Sequence, residues 1–299
     1  MGRFYQKEPH HFGMTHPVHD TTIMKMKSPE TVLLTGACGK LARRLRLPLA
    51  GHYKHLRVTD LLPLEQMSDN EEPVTCDLSD RAAVEKLVDG VDAIVHFAGY
   101  PREADWEAIF PANMVATVNL FEAAMGAGVR RVVYASTNHT TGFYPNNTRI
   151  GLHDEVKPDT RYGVSKAFAE TLARFYYEKF GVESLGIRIG RCEDKPTDER
   201  MMANWLHPAD MVQLVKLGLE HPVRADLIYG VSRNARSPFN NAAQTIPYVP
   251  EHSADDYTLD ANAPPSAVWH HQGGPFAAQQ YVGDPERAAQ FFRSFNPES

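Results

Sequence analysis

The sequence has few cysteines, no large excess of charge of either sign and no long apolar runs. Its three cysteines, Cys38, Cys76 and Cys192, are far apart, which argues against a disulfide framework or a structural zinc site and favours a reducing cytoplasm. The formal net charge of -6 comes from interspersed charges of both signs, so the basic stripe of a nucleic-acid surface is lacking. No stretch of about 18 or more apolar residues occurs, and we expect no membrane-spanning helix.

The first thirty residues, 1–30, also lack sustained hydrophobic periodicity and the apolar core of a secretory signal. Histidines stand at positions 10, 11, 16 and 19. Such tracts sometimes bind metal, but a flexible arm, or a start of translation at Met24 or Met26, is the simpler interpretation. We therefore expect a flexible arm and assign no metal site.

From residue 31 onwards, short apolar runs alternate with segments of helical spacing. The predicted strands cover residues 31–36, 55–60, 72–78, 91–99, 130–136, 183–190 and 226–232. The predicted helices cover residues 39–51, 80–90, 112–128, 161–181, 207–222 and 284–295. Nearly continuous apolar strands are typical of parallel sheets covered by helices on both faces. The pattern predicts an α/β protein with a Rossmann-type, doubly wound parallel sheet, whose ligands bind beyond the carboxyl ends of the strands.

A glycine turn in the stretch "TGACGKLA" follows the first predicted strand and opens the first predicted helix. Gly36 and Gly39 allow a tight turn in which backbone N–H groups approach a pyrophosphate, and Ala42 stands where a third glycine often occurs. Asp60 ends the second strand, where its carboxylate would bind the adenosine ribose and repel a 2′-phosphate. The arrangement predicts NAD, in preference to NADP, as the cofactor.

Other positions near the strand ends are assigned to the same cofactor. Two of them begin the first helix and two end the fourth strand: Lys40, Leu41, Ala98 and Gly99. Asp77 and Leu78, after the third strand, would frame the adenine, although a simple turn aspartate explains Asp77 equally well. After residue 190 the alternation weakens. We therefore expect a NAD-binding Rossmann domain over residues 31–190 and a small C-terminal substrate-binding lobe over 191–299, interleaved with the last strand and helices.

A tyrosine and a lysine lie four residues apart in "YGVSK", at the start of a long predicted helix. Tyr162 and Lys166 therefore share one helix face. The lysine charge would lower the pKa of the phenol from about 10, so that the phenolate acts as general base toward a substrate hydroxyl. Thr137, at the end of the fifth strand, would bind the same oxygen. The pair alone is common on helix surfaces, but together with the glycine turn it indicates catalysis.

These stretches give the chain its resemblance to a known family. In the order "TGACGKLA", "HFAG", "NMVATVNLFEAA", "YAST", "YGVSK" and "YVPEHSADDY", it resembles the extended short-chain dehydrogenases/reductases, also called the NAD-dependent epimerase/dehydratase family. Within that family it is most similar to the uronate dehydrogenases, through "STNHTTGFYP", "RIGRC", "DERMMANWLHPADM" and "HHQGGPF". The resemblance implies NAD-dependent oxidation of the C1 hydroxyl of a cyclic hexuronic acid, glucuronate or galacturonate, to the aldarolactone.

The resemblance also implies roles for individual residues. Thr137, Tyr162 and Lys166 would form the catalytic group, and Asn113 would support the proton relay. Asn138 and His139 would bind sugar hydroxyls, although a structural histidine remains an alternative for His139. The guanidinium of Arg200 would bind the uronate carboxylate through two parallel hydrogen bonds.

Two positions depart from the uronate dehydrogenase pattern, because Pro101 and Arg191 stand where serines are expected. If Arg191 faced the site, it would form a double anion site with Arg200, and the substrate would be a sugar phosphate such as glucose 6-phosphate. In the alternative, Arg191 turns outward and pairs with Glu193 or Asp194, where it contributes little.

Two other classes of protein compete with a sugar dehydrogenase. A sugar epimerase of the same family would retain its NAD and recognise a nucleotide diphosphate, for which the C-terminal lobe is short. A non-catalytic NAD(P) sensor commonly loses the tyrosine or the lysine, and both are present here. The helices at 112–128 and 161–181 are apolar on more than one side, which favours a homo-oligomer, a dimer or higher.

Overall fold

A computed structural model describes residues 28–260 and 270–278, and the elements below lie within these ranges. Most of the predicted N-terminal arm and the predicted helix over 284–295 lie outside the described residues. The described strands are β1 Thr31–Thr35, β2 His55–Asp60, β3 Glu71–Thr75, β4 Ala93–His96, β5 Arg131–Thr137, β6 Ile150–Gly151, β7 Glu183–Ile189, β8 Arg191–Cys192, β9 Trp205–Leu206, β10 Ala225–Gly230 and β11 Phe239–Asn240.

Helices alternate with these strands. They are α1 Lys40–Ala50, α2 Arg81–Leu87, α3 Trp106–Ile109, α4 Ala116–Gly126, α5 Arg161–Phe180, α6 Met201–Asn204, α7 Pro208–Glu220 and α8 Pro275–Ala278. A π-helical turn, Phe110–Val115, joins α3 to α4, and 3-10 turns cover Asn138–Thr141 and Ala254–Asp256.

Seven strands form one parallel sheet in the order β3-β2-β1-β4-β5-β7-β10. The chain winds outward from β1 in one direction and from β4 in the other, which is the doubly wound arrangement. This confirms the predicted Rossmann-type fold. Because β10 follows residue 190 and still belongs to the sheet, the last part of the chain completes the Rossmann layer as well as contributing the loops above it.

Both faces of the sheet are buried, as the continuous apolar strands predict. Val32 and Leu34 point to the face covered by α1 and α7, whereas Leu33 points to the face covered by α2, α4 and α5, and all three are fully buried. Successive side chains of a strand point to opposite faces. A strand with helices on both sides therefore has no polar face.

The helix predicted over 112–128 begins earlier than expected. It starts at Trp106 and runs through the π-helical turn into α4. Pro111 lies in the π-helical turn and has no N–H to donate to a regular helical ladder. The wider turn accommodates the proline without ending the helix.

The same stretch, Trp106–Gly126, is long and apolar enough to cross a membrane by length and composition, and 50% of its apolar window is buried in the fold. Its α4 segment contacts α2 and α5. Core helices of globular domains pass the same test, so the observation is weak evidence for a membrane.

A buried ion pair joins α5 to the sheet. The guanidinium of Arg188 in β7 donates two hydrogen bonds to Glu170 in α5, each 2.9 Å long, and the two side chains are only 2% and 7% exposed. Ser136 in β5 donates to the same carboxylate at 2.6 Å, and Arg188 donates to the Tyr229 hydroxyl at 3.1 Å. The pair thereby fixes α5 against β5, β7 and β10.

We predict that Glu170→Gln destabilises the fold by about 3–5 kcal/mol, because it leaves the Arg188 charge buried without its partner. Urea unfolding followed by circular dichroism measures the loss. The matched control is Glu178→Gln on the same helix, whose pair with Arg174 is exposed and 3.7 Å long. That change should cost less than about 1 kcal/mol. Equal losses for the two variants would contradict the prediction.

Candidate active site

The glycine turn lies at the carboxyl end of β1 and approaches the end of β4. Gly36 has a φ of +73°, and a Cβ at this position would lie 2.7 Å from the Cα of Ala98. Gly39 caps α1 and contributes no side chain, so the first N–H groups of the helix, including those of Lys40 and Leu41, point out of its N-terminus. Close backbone approach and an open helix N-terminus suit a pyrophosphate.

Asp60 is partly exposed beside this turn and accepts two backbone hydrogen bonds. Its carboxylate binds the N–H of Cys38 at 2.9 Å and that of Leu62 at 3.3 Å. The acid therefore orders the glycine turn as well as standing at the predicted ribose position. The contact with Cys38 was missed in the sequence, where nothing distinguishes that residue from its neighbours.

Asp77 stabilises a turn, which was one of its two predicted roles. Its Oδ1 accepts hydrogen bonds from the backbone and the hydroxyl of Ser79, at 2.8 and 2.7 Å. Leu78 is 7% exposed and packs in the core under α2 and α4. A contact of either residue with adenine remains a prediction.

Asn113, in the π-helical turn, holds the loop after β4 against α5. Its amide bonds both backbone groups of Tyr100, at 2.6 and 3.1 Å, and donates to the Ser165 hydroxyl at 3.0 Å. Ser165 in turn donates to the carbonyl of Tyr162 at 2.7 Å. Gly99, with a φ of +139°, leaves room for the Asn113 amide. Asn113 therefore reaches the backbone of Tyr162 rather than its phenol, and its role in a proton relay remains a prediction.

Tyr162 and Lys166 share one face of α5, as predicted, with the Lys166 Nζ 5.7 Å from the centre of the phenol ring. The predicted effect on the pKa needs correction. Burial raises the pKa of Tyr162 to about 12, and the lowering contribution is a hydrogen bond from Thr137. Burial also lowers the pKa of Lys166 to about 8. The desolvation of both groups in the folded site therefore outweighs the expected effect of the lysine on the phenol.

A histidine that the sequence did not single out lies beneath the lysine. His96 ends β4, is 2% exposed, and bonds the hydroxyls of Thr35 and Thr117 at 2.9 and 3.3 Å. Burial, with a smaller effect of the Lys166 charge, lowers the pKa of His96 to about 3. The imidazole is therefore neutral at physiological pH, and it connects the ends of β1 and β4 to α4.

The polar residues after β5 contact groups from distant parts of the chain. In the amide orientation that satisfies both partners, Asn138 donates to the Ile189 carbonyl at 3.1 Å and accepts from Arg200 at 3.2 Å. Arg200 also donates to the Gln272 carbonyl at 3.1 Å. Burial lowers the pKa of Arg200, and nearby carboxylates partly oppose this. An arginine pKa lies far above neutrality, so the guanidinium keeps its charge.

His139 belongs to the same group. Its Nδ1 lies 3.0 Å from each carboxylate oxygen of Asp159, and its ring is edge-on to Tyr162 and Phe276, at 6.5 and 4.9 Å between centres. The structure therefore places His139, one of the predicted sugar-binding residues, beside the predicted base. No role for Asp159 was predicted from the sequence, although its position shortly before "YGVSK" could have indicated one.

Arg191 does not join this group. Its side chain is 54% exposed and lies 3.4 Å from Glu193, which also accepts a hydrogen bond from Lys40 at 2.6 Å. Of the two alternatives for Arg191, the outward one is thus present. Pro101 is exposed in the loop after β4. Arg191 acts on Arg200 through its charge, but its guanidinium pairs with Glu193, so the two arginines do not form a double anion site.

Comparison with known proteins identifies the family and several relatives of the chain. Residues 32–206 match the NAD dependent epimerase/dehydratase family. The chain is 40% identical over 254 residues to a uronate dehydrogenase of Pseudomonas putida, covering 82% of this chain and 95% of that protein. It is also 32% identical to a NAD-dependent glucose-6-phosphate dehydrogenase of Haloferax volcanii, covering 77% of this chain and 97% of that protein.

Among solved structures, the fold superposes on a tyrosine-to-alanine mutant of uronate dehydrogenase from Agrobacterium tumefaciens in complex with NAD. The TM-score is 0.80 at 37% identity, and the match covers 84% of this chain and 97% of that chain. The similarity thus extends over most of both chains.

We predict that Gly36→Ala abolishes measurable NADH binding, because the new Cβ would collide with the backbone of Ala98. Titration of NADH fluorescence measures the affinity. Gly128→Ala is the matched control, since Gly128 has a similar φ of +76° and nothing within 4 Å of an added Cβ. The control should lose about 1–2 kcal/mol of stability and keep its affinity for NADH. Unchanged binding by Gly36→Ala would contradict the prediction.

Proposed function

The chain belongs to the NAD-dependent epimerase/dehydratase family, and on that premise we propose that it oxidises the C1 hydroxyl of a cyclic hexuronic acid, glucuronate or galacturonate, to the aldarolactone. One observation carries the proposal. The ring of Tyr162 lies edge-on to His139, and the charged Arg200 donates a hydrogen bond to Asn138, the residue that precedes His139. Such a site pairs a general base with a carboxylate receptor.

Tyr162 removes the proton from the C1 hydroxyl. The hydrogen bond from Thr137 favours the phenolate, which compensates part of the cost of burial. Lys166, one turn along α5, contributes positive charge and a donor for the ribose of the cofactor. NAD, when bound, would supply the acceptor for the hydride from C1 and a positive nicotinamide charge that would favour the phenolate.

The glycine turn and Asp60 are the groups that would hold NAD. Gly36, Gly39 and the first N–H groups of α1 suit the pyrophosphate, and the Asp60 carboxylate suits a ribose with a free 2′-hydroxyl. Ala98 and Gly99 line the approach from β4, and the adenine would lie toward Asp77 and Leu78.

Arg200 and its neighbours orient the sugar. A guanidinium fork matches a carboxylate by two charge-assisted hydrogen bonds. Asn138 holds Arg200 in place and, with His139, offers groups to the sugar hydroxyls. This supports the residues after 190, which include Arg200, as the substrate-binding lobe. A sugar phosphate is the less favoured substrate, because Arg191 pairs with Glu193 and is therefore not available to bind a second anion.

We further propose a homo-oligomer in the cytoplasm. Large apolar side chains are exposed on α3, the π-helical turn and α5, at positions Trp106, Phe110, Phe175 and Phe180, with 42–53% exposure. Exposed aromatic side chains at this density favour burial against a second copy. The three cysteines are free, which is compatible with a reducing compartment.

The decisive experiment is NADH formation with NAD or NADP and a panel of glucuronate, galacturonate, glucose 6-phosphate, glucose and galactose. We expect turnover with NAD and the uronates, and catalytic amounts of NAD should not suffice, as they would for an epimerase. Turnover with glucose 6-phosphate alone would overturn the proposal.

Two arginine variants test the carboxylate receptor. Arg200→Lys should raise KM for uronates by about 10- to 100-fold, because the ammonium cannot form the two parallel bonds. Arg191→Ser is the matched control and should leave the uronate kinetics close to wild type, since Arg191 faces outward. An equal effect of the two substitutions would show that the carboxylate binds elsewhere.

Thr137→Val tests the base through the pH profile. Removing the hydroxyl removes the hydrogen bond that lowers the pKa of Tyr162, so the phenol pKa rises. Because the phenolate is the active form, the rising limb of kcat/KM with pH should shift to higher pH, with activity recovering as the pH increases. A loss of activity that is constant across the pH range would argue against this role of Thr137.

A further inference from the structure

The proposed reaction makes no use of one buried acid at the centre of the site. Asp159 immediately precedes Thr160, whose side chain caps α5, and its own side chain is fully buried. Both carboxylate oxygens lie 3.0 Å from Nδ1 of His139, and the Thr160 hydroxyl donates to one of them at 3.4 Å. A buried carboxylate is retained only where its charge is compensated.

Two glycines enclose this carboxylate. A Cβ on Gly142 would lie 2.2 Å from the Asp159 Cγ, and a Cβ on Gly273 would lie 1.6 Å from Oδ2. The two glycines are themselves joined, because the N–H of Gly273 donates to the carbonyl of Gly142 at 2.9 Å. The backbone on both sides therefore fixes the position of the acid and leaves no room for the longer side chain of glutamate.

The chemistry of the pair determines where the imidazole carries its proton. An ionised carboxylate only accepts hydrogen bonds, so the Nδ1 of His139 must be the donor. In the neutral imidazole, Nε2 is then an acceptor, on the far side of the ring from Asp159. The ring lies between Tyr162 and Phe276, at the predicted sugar position.

We propose that Asp159 is a positioning residue that holds His139 in the Nδ1–H tautomer, so that Nε2 accepts a hydrogen bond from a sugar hydroxyl. This proposal rests on the proposed function and deepens it, because it states whether the sugar must donate or accept the hydrogen bond with His139. The substrate must offer a hydroxyl donor to His139, and an O-methyl or fluoro group at that position would be rejected. Asp159 thus acts on substrate orientation through His139.

The tautomer can be observed without any turnover. In protein labelled with 15N-histidine, long-range 1H–15N spectra at mildly alkaline pH distinguish a protonated from an unprotonated ring nitrogen. The His139 signals are those missing from His139→Gln. We expect a protonated Nδ1 in the wild-type protein. A wild-type His139 protonated at Nε2 would overturn the proposal even if Asp159→Asn failed to fold, and even if no uronate were oxidised.

Asp159→Asn provides the second readout. The amide has nearly the same size and can donate its N–H to Nδ1, so we expect the Nε2–H tautomer to appear. Asp198→Asn is the matched control, because Asp198 also acts electrostatically on Arg200 but binds the backbone N–H of Met201 at 2.8 Å rather than His139. In the control the tautomer should be unchanged. Because the amide oxygen can still accept from Nδ1–H, the expected change is in the proportion of the two tautomers, and a proportion unchanged from the wild-type protein would contradict the proposal.

Kinetics then separate positioning from a merely structural role. With a uronate that the wild-type enzyme oxidises, Asp159→Asn should lower kcat/KM by about 10- to 100-fold, mainly through KM. In a His139→Gln background the same substitution should cost no more than Asp198→Asn does, because no imidazole is left to orient and only the electrostatic effect on Arg200 remains. Losses that multiply in the double variant would show that Asp159 acts independently of His139. Thermal unfolding of all variants checks that the fold is retained.

Discussion

The buried ion pair between Arg188 and Glu170 is the contact on which the site depends. It joins α5, which carries Tyr162 and Lys166, to β7 and, through Ser136, to β5, where Thr137 follows directly. Burying two charges is costly, and here each charged group is compensated by several hydrogen bonds with partners in the surrounding strands and helix. A hydrophobic contact would bury similar area but would tolerate sliding of the helix. The hydrogen bonds of the ion pair require a defined geometry, so they fix the position of the catalytic helix along the sheet.

Close backbone approach is a second constraint, and it recurs at both ends of the site. At the cofactor end, Gly36 lets β1 approach the backbone at Ala98. At the proposed substrate end, Gly142 and Gly273 close around the carboxylate of Asp159. At Gly36 an added methyl group would collide with the backbone at Ala98, and at Gly142 or Gly273 it would collide with the Asp159 carboxylate. The two halves of the site are thus built by the same means.

The electrostatics of the site indicate what it is built to receive. Burial raises the pKa of Tyr162 and lowers those of Lys166 and Arg200, so each group is held with its charged form disfavoured. A cationic nicotinamide beside the phenol and a carboxylate beside the guanidinium would relieve the costs at Tyr162 and Arg200. The proposed pairing of oxidised NAD with a uronate is therefore also the pairing that compensates these desolvated groups.

The sequence by itself determined the features that depend on local spacing. The strand runs, the glycine turn, Asp60 and the four-residue spacing of Tyr162 and Lys166 are all carried by neighbouring residues, so the fold and the cofactor end were predictable. The tertiary structure alone decided the outward direction of Arg191, the raised pKa of Tyr162 and the meeting of His139 with Asp159. These depend on burial and on contacts between distant segments, which no local periodicity encodes.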